Sequence, residues 1–209
     1  MTSHRVVTEA EIAAADPDRP FVVDTGRLVT PAARDLARHR GVTLVETGPG
    51  QGPDPEPLQA VALGADHGGV TLKAALIPVV EQLDFNTVDL GTSGPEPVDY
   101  PVYAARVAEA VAEGAATFGI MIDGAGIGSA MVANRIPGCR AACCHDVTTA
   151  HNAREHNNAN LLTLGGGLVG PRLAAEIVAA FLTTGFGGGR HERRVAMIDA
   201  LDRPPTGSA

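Results

Sequence analysis

The chain has no tryptophan, and only 3% of its 209 residues are aromatic. Its core must therefore be assembled from Ala, Val, Leu and Ile. Basic residues are also short, with 16 Lys and Arg against 24 Asp and Glu, a formal charge of -8. A protein that follows a phosphate backbone needs the opposite surplus, so nucleic acid is excluded as a partner, and any anion site must be a local cluster. Cysteine is confined to Cys139, Cys143 and Cys144. Two of these are adjacent and none forms a CxxC pair, which argues against a disulfide framework or structural zinc and for reduced, buried thiols in a cytosolic protein. No apolar run is long enough to cross a bilayer, and no apolar segment at the start resembles a secretion signal, so no membrane partner and a cytoplasmic location are expected.

Glycine is plentiful at 25 residues, while apolar residues make up 44%, a combination that points to many tight strand-to-helix turns rather than disorder. GPGQGPDPEP, residues 48–57, cannot continue a helix or a central strand and reads as a linker. Residues 1–47 before it form a small α/β extension. TEAEIAAAD predicts a helix capped by Thr8, with Glu11 completing a capping box; FVVDTGRLVT is extended. TPAARDLARHRG predicts a second helix with Thr30 as cap, Pro31 in the first turn and Gly41 at its end, and VTLVE a strand. Such a short unit has a marginal core and is expected to dock on something.

Residues 58–209 alternate short apolar strands with amphipathic helices. Strands are predicted at QAVALG (59–64), FNTVDLG, FGIMID, RAACC and NLLTLG. Helices follow each, the first interrupted by Pro78 and the last running through RHERRVAMIDAL. This pattern predicts a five-stranded parallel sheet covered on both faces, with all strand C-terminal ends on one edge. On that edge Asp66, His67, Asp99, Tyr100 and Asp123 converge, a better site signal than any single motif.

The loop after FGIMID, GAGIG, matches a dinucleotide fingerprint only loosely, and Cys143 rather than an acid stands twenty residues beyond Asp123. No nucleotide and no other cofactor is therefore expected. Its glycines, Gly124, Gly126 and Gly128, still leave backbone N–H groups open at a helix start, where a phosphate or an enediolate oxygen could sit. Arg190 and Arg194 are expected on one face of the last helix, suited to phosphate or, alternatively, forming a solvated basic face. His145, His151 and His156 lack the spacing of a zinc motif, so no metal is expected; His156 could also simply favour the end of its helix.

Six stretches, ALGADHGGVTLK, VDLGTSG, VDYPVYAARVAEAV, GAGIGSAMVANRIPGCRAA, AREHNNAN and GGRHERRV, resemble the type B ribose-5-phosphate isomerases in order and spacing. That superfamily includes the subunits of galactose-6-phosphate isomerase, and the resemblance covers about residues 59–200. It implies a Rossmann-like three-layer sandwich and aldose–ketose isomerisation of a sugar phosphate through an enediol(ate), most specifically ribose 5-phosphate to ribulose 5-phosphate. It further implies that Asp66 and Tyr100 contact sugar hydroxyls and that His67 lies near sugar or phosphate. His156 would open the furanose ring beside Asn157, and Gly124, Ala125, Gly126 and Gly128 would hold the enediolate oxygen. Arg190 and Arg194 would bind phosphate across a homodimer or dimer of dimers with shared sites.

Asp123 stands where the ribose-5-phosphate enzymes commonly carry the cysteine that moves the C2 proton, and Gly167 where many members carry a phosphate-binding arginine. Asp123 is accordingly expected to be the catalytic base, with helix capping as its plainer role. The alternatives are another sugar phosphate, a tetrose or hexose phosphate, and a non-catalytic sugar-phosphate-binding or assembly subunit. TPAARDLARHRGVTLVE resembles short segments attached to bacterial microcompartment enzymes, which implies a shell or cargo partner for residues 1–47 and a location inside such a compartment.

Overall fold

In the computed structural model, which describes residues 6–17, 19–23, 27–46 and 59–202, the chain divides into two compact units, residues 1–57 and 58–209. The expected linker, residues 48–57, lies outside the described residues.

In the first unit, β1 (Val6–Val7) pairs in parallel with β3 (Leu28–Val29), and β2 (Phe21–Val23) with β4 (Leu44–Glu46). Its described residues also form the helices α1 (Glu9–Ala14) and α2 (Pro31–Arg40). α1 opens with the expected capping box of Thr8 and Glu11, and α2 with the Thr30 hydroxyl accepting from the Ala33 N–H. Gly41 ends α2 at φ 70, where a residue with a Cβ would be strained. The core here is Val7, Ile12, Val23, Ala33, Ala37 and Val42. β1 was not expected; two valines are too short a run to signal a strand.

The second unit contains β5 (Ala60–Ala65), α3 (Val70–Gln82), β6 (Asn86–Asp89), α4 (Tyr100–Ala112), β7 (Phe118–Asp123) and α5 (Ile127–Ala133). It continues with β8 (Ala141–Cys143), α6 (Val147–Asn157), β9 (Leu161–Gly165), α7 (Pro171–Thr183) and α8 (Glu192–Asp199). The five strands form one parallel sheet in the order β6-β5-β7-β9-β8. This is the expected Rossmann-like three-layer α/β sandwich. Leu63, Ile120, Ile122, Leu162 and Leu164 face one layer with residues of α3, α6 and α7; Ala62, Met121 and Leu161 face the other with residues of α4 and α5. Each fully buried aliphatic side chain contributes about 1.5–3 kcal/mol, so this core far outweighs that of the first unit.

Two local expectations need correction. α3 runs straight through Pro78. The proline is exposed, so the carbonyl it leaves unpaired lies on the solvent side, where water can satisfy it. The last helix starts later than expected: Gly188 and Gly189 adopt φ 61 and 55, and a tight turn over Gly189–His191 precedes α8. Arg190 therefore lies in the tight turn that runs directly into the α-helix carrying Arg194.

Arg154 joins the far ends of α6 and α7. Its guanidinium lies 4.7 Å from the Phe118 ring centre and 5.7 Å from that of Phe181. It donates to the carbonyls of Thr184 and Ala159 and to the Asn158 side chain.

Candidate active site

β5 is followed by a helix on one layer and β7 by a helix on the other, so the chain diverges at the C-terminal ends of these neighbours. Such a divergence is where open parallel sheets usually take their ligands. Asp66 follows β5 directly and Asp123 is the last residue of β7. Their loops are stitched together. The Asp66 N–H donates to the Ile122 carbonyl at 3.0 Å, Gly166 N–H to the Asp123 carbonyl at 2.7 Å, and Gly167 N–H to the Gly124 carbonyl at 3.1 Å. A Cβ on Gly69 would come within 2.4 Å of the Ile122 carbonyl oxygen, so only glycine permits this approach.

The two carboxylates are bonded differently. Asp123 is 5% exposed, and its Oδ1 accepts from the N–H groups of Ala125 (2.8 Å) and Gly126. Its Oδ2 accepts from the Ser129 N–H (3.0 Å) and the Ser129 hydroxyl. A carboxylate offers about four acceptor positions, and here all four are filled. Asp123 thus holds the glycine loop against the start of α5, the capping role among its expected alternatives; as a base it would first have to release a donor. The Ala125 and Gly126 N–H groups are consumed in the same way and face the carboxylate rather than a ligand. Among the described residues the N–H groups of Gly124, Ile127 and Gly128 have no such partner and remain available.

Asp66 is 8% exposed, and its Oδ1 accepts from Gly68 (2.9 Å) and Gly69 (3.1 Å). Its Oδ2 accepts nothing among the described residues. His67 accepts from the Val98 N–H on Nδ1 at 3.2 Å, so the neutral ring carries its proton on Nε2 and can donate. Tyr100 lies over Gly128, where a Cβ would meet its ring and hydroxyl at 2.6 Å. Asp66, His67, Tyr100, Asp123 and the Gly124–Gly128 loop are therefore brought together, as the sequence suggests.

His156, Asn157, Arg190 and Arg194 are not part of this group. α6 runs from the end of β8 back to the start of β9, antiparallel to the strands, and its eleven residues span about 16 Å. Its last turn meets Arg140, just before β8: the Arg140 Nε donates to the Asn158 carbonyl and its N–H to the Asn160 side chain. His156 thus lies at the opposite edge of the sheet from Asp66. It accepts from Asn152 Nδ2 on Nδ1 at 2.9 Å and stacks on His191, ring centres 4.3 Å apart and planes 5° apart. Burial, together with the charges of His156, Arg190 and Arg194, pushes His191 below the usual imidazole range.

Three participants were not foreseen. Ser129 is buried six residues from Asp123, and His191 is 35 residues from its partner. Lys73 is buried on α3 and donates to Asp89 and to the Thr92 carbonyl, tying α3 to the loop after β6. None of these contacts has a fixed sequence spacing that would reveal it.

A family model described as Ribose/Galactose Isomerase matches residues 61–198. The chain belongs to this family. Ribose-5-phosphate isomerase B of Escherichia coli is 39% identical over 146 residues, covering 70% of this chain and 98% of that one. D-erythrulose-4-phosphate isomerase of Pectobacterium atrosepticum is 38% identical over 143 residues, covering 68% and 93%. The solved ribose-5-phosphate isomerase B of Clostridium thermocellum superposes with a TM-score of 0.67 at 42% identity, covering 69% of this chain and 97% of that one. The residues matched by the family model lie within the second unit.

Proposed function

We propose that the protein interconverts a phosphorylated aldose and its ketose through an enediol(ate), with ribose 5-phosphate and ribulose 5-phosphate as the leading pair. The observation that carries this reading is the gathering of Asp66, His67, Tyr100 and the Gly124–Gly128 loop at the C-terminal ends of β5 and β7, with the N–H groups of Gly124 and Gly128 open. Donors in that arrangement stabilise the oxygen that gains charge when a sugar is enolised. Asp123 serves this by fixing the loop that carries the donors.

His156 opens the ring beside Asn157, and Arg190 and Arg194 hold the phosphate, all supplied by a second copy of the chain. The opposite-edge position of His156 supports this division, since one chain cannot bring both groups to one sugar. Ile127 and Met131 on α5 and Met197, Ile198 and Leu201 near the end of the chain are exposed apolar residues of the kind such a partner covers.

A tetrose phosphate is the second reading, favoured by the near-equal similarity to the D-erythrulose-4-phosphate enzyme. Gly167, whose N–H is committed to Gly124, offers no side chain to a phosphate, which separates this site from members with arginine there. We assign the first unit a docking role, with a microcompartment shell or cargo as its partner and the compartment interior as its location.

The test is NMR of the purified protein in deuterated water with ribose 5-phosphate and, separately, erythrose 4-phosphate. Ketose formation or deuterium at C2 is expected with one of them, and the preferred sugar ranks the two readings. Binding without either signal would make the protein a sensor rather than an isomerase.

A further inference from the structure

Two carboxylates, Asp66 and Asp123, lie at the ends of the neighbouring strands β5 and β7, while Asp99 precedes Tyr100 at the start of α4, and enolisation needs a carboxylate that can accept a proton from carbon. Asp123 is committed on both oxygens to four donors within its own loop and helix. Asp66 is committed on one oxygen only. Among the described residues the sole side-chain polar atom that is both sealed from solvent and without a partner is the Nε of Arg27. The Asp66 Oδ2, which also lacks a partner, is therefore not sealed from solvent. A purely structural role, holding the turn at residues 66–69, accounts for Oδ1 and leaves Oδ2 unexplained. The neighbours of Asp66 suit a proton carrier. His67 follows it directly with Nε2 free to donate, and a Cβ placed on Gly68 would come to 4.0 Å from the Gly124 amide nitrogen, one of the open donors.

We propose, on the isomerase reading above, that Asp66 rather than Asp123 is the general base of the isomerisation, acting through Oδ2. Oδ2 removes the proton from C2 of the open-chain aldose. The C2–H electron pair becomes the second C1–C2 bond, and the carbonyl π pair moves onto O1, which the open donors receive. The hydroxyl proton of O2 passes to O1, Oδ2 returns its proton to C1, and a carbonyl is left at C2. Atoms and charge balance without metal, oxidant or cofactor. Asp123 acts one step removed, by keeping Gly124 and Gly128 where O1 needs them.

Asp66→Asn is a sharp test, because its side-chain oxygen can still accept from Gly68 and Gly69 while an amide group replaces the open oxygen. With ribose 5-phosphate in deuterated water, turnover and C2 deuteration are expected to fall at least ~100-fold. Affinity for a phosphorylated hydroxamate, a stable mimic of the enediolate, should stay within about threefold by the same donor argument. Asp66→Glu, which keeps a carboxylate but displaces it, should retain more exchange than Asp66→Asn. Near-normal exchange in Asp66→Asn, loss of hydroxamate binding in the folded variant, or equal exchange in Asn and Glu variants would each overturn the assignment. So would an Asp123→Asn variant that keeps wild-type stability and hydroxamate affinity yet exchanges no deuterium. If the wild-type protein exchanges nothing with either sugar phosphate, the isomerase reading itself fails, a result separate from any of these.

Discussion

Ser129 gives both its backbone N–H and its hydroxyl to a single oxygen of Asp123, clamping the first turn of α5 onto the end of β7. Removing one side of a buried hydrogen-bond set costs about 1–3 kcal/mol, because the remaining groups stay desolvated. Asp123→Asn is expected to lose that much stability in urea denaturation, since an amide N–H would face donors. Ser129→Ala, which leaves the backbone donor in place, should lose about 1 kcal/mol. An Asp123→Asn protein as stable as the wild type would show that the clamp contributes nothing.

Gly69 and Gly124 are a matched pair for testing the site. A Cβ on Gly69 strikes backbone, and overpacking of that kind costs about 1–3 kcal/mol or more, so Gly69→Ala should unfold at markedly lower temperature. Nothing lies within 4 Å of a Cβ on Gly124, so Gly124→Ala should stay within about 0.5 kcal/mol of the wild type. A loss of sugar-phosphate affinity in that stable variant would report a ligand above Gly124; unchanged affinity would remove the ligand from this loop.

The thiols should separate by reactivity. Burial raises Cys139 and Cys144 to about 11, leaving a thiolate fraction on the order of 0.001 at pH 8. Cys143 is half-buried, with its Sγ 3.7 Å from His145 Nε2. Iodoacetamide at pH 8 is expected to modify Cys143 first, with the other two reacting only on unfolding, as read by peptide mass mapping. Equal labelling of all three in the native protein would contradict the burial.

Acid should loosen the His156–His191 stack. The folded-state value for His191 lies below the ordinary 6.5, so between the two values the unfolded chain binds the extra proton. Stability is unaffected above pH 6.5 and falls as pH drops below it. Desolvation of the ring drives the effect first, then the charges of His156, Arg190 and Arg194, while Glu155 opposes it. The melting temperature should therefore decline from pH 7 to pH 5, and His191→Gln should flatten that decline; an identical slope in the variant would place the titrating group elsewhere.

Truncation to residues 58–209 should yield a folded, active protein. The family model matches residues 61–198, all within this unit, and the unit's core clusters contain no residue of the first unit. Turnover within about threefold of the full chain is expected, well short of the ~100-fold loss of a catalytic group. A folded but inactive fragment would mean that the first unit contributes to the site.

Much of this architecture was legible in the sequence because the central strands β5, β7 and β9 are short apolar runs closed by glycine or an acid. Thr30, Pro31 and Gly41 likewise mark α2 by local chemistry alone. Position along the chain also reveals that Asp66 and Asp123 share an edge, since both end parallel strands. What stayed hidden depends on distance in space. The four donors on Asp123 appear only once the loop has closed, and this contact is what the proposal of Asp66 as base starts from. Pro78 was misread because its effect turns on which face of α3 meets water. The delayed start of α8 follows from two glycines at positive φ, a conformation that composition permits but does not dictate.

The antiparallel run of α6 has a consequence for how activity is inherited by mixtures. If Asp66 and His156 of one chain serve different sugars, a defect in each need not occur in the same site. Combine Asp66→Asn with His156→Ala, both inactive alone, and random reassortment leaves some pairs with one undamaged site and one doubly damaged site. Two dead proteins would then become a partly living one, with a recovered fraction set by how chains exchange rather than by chemistry.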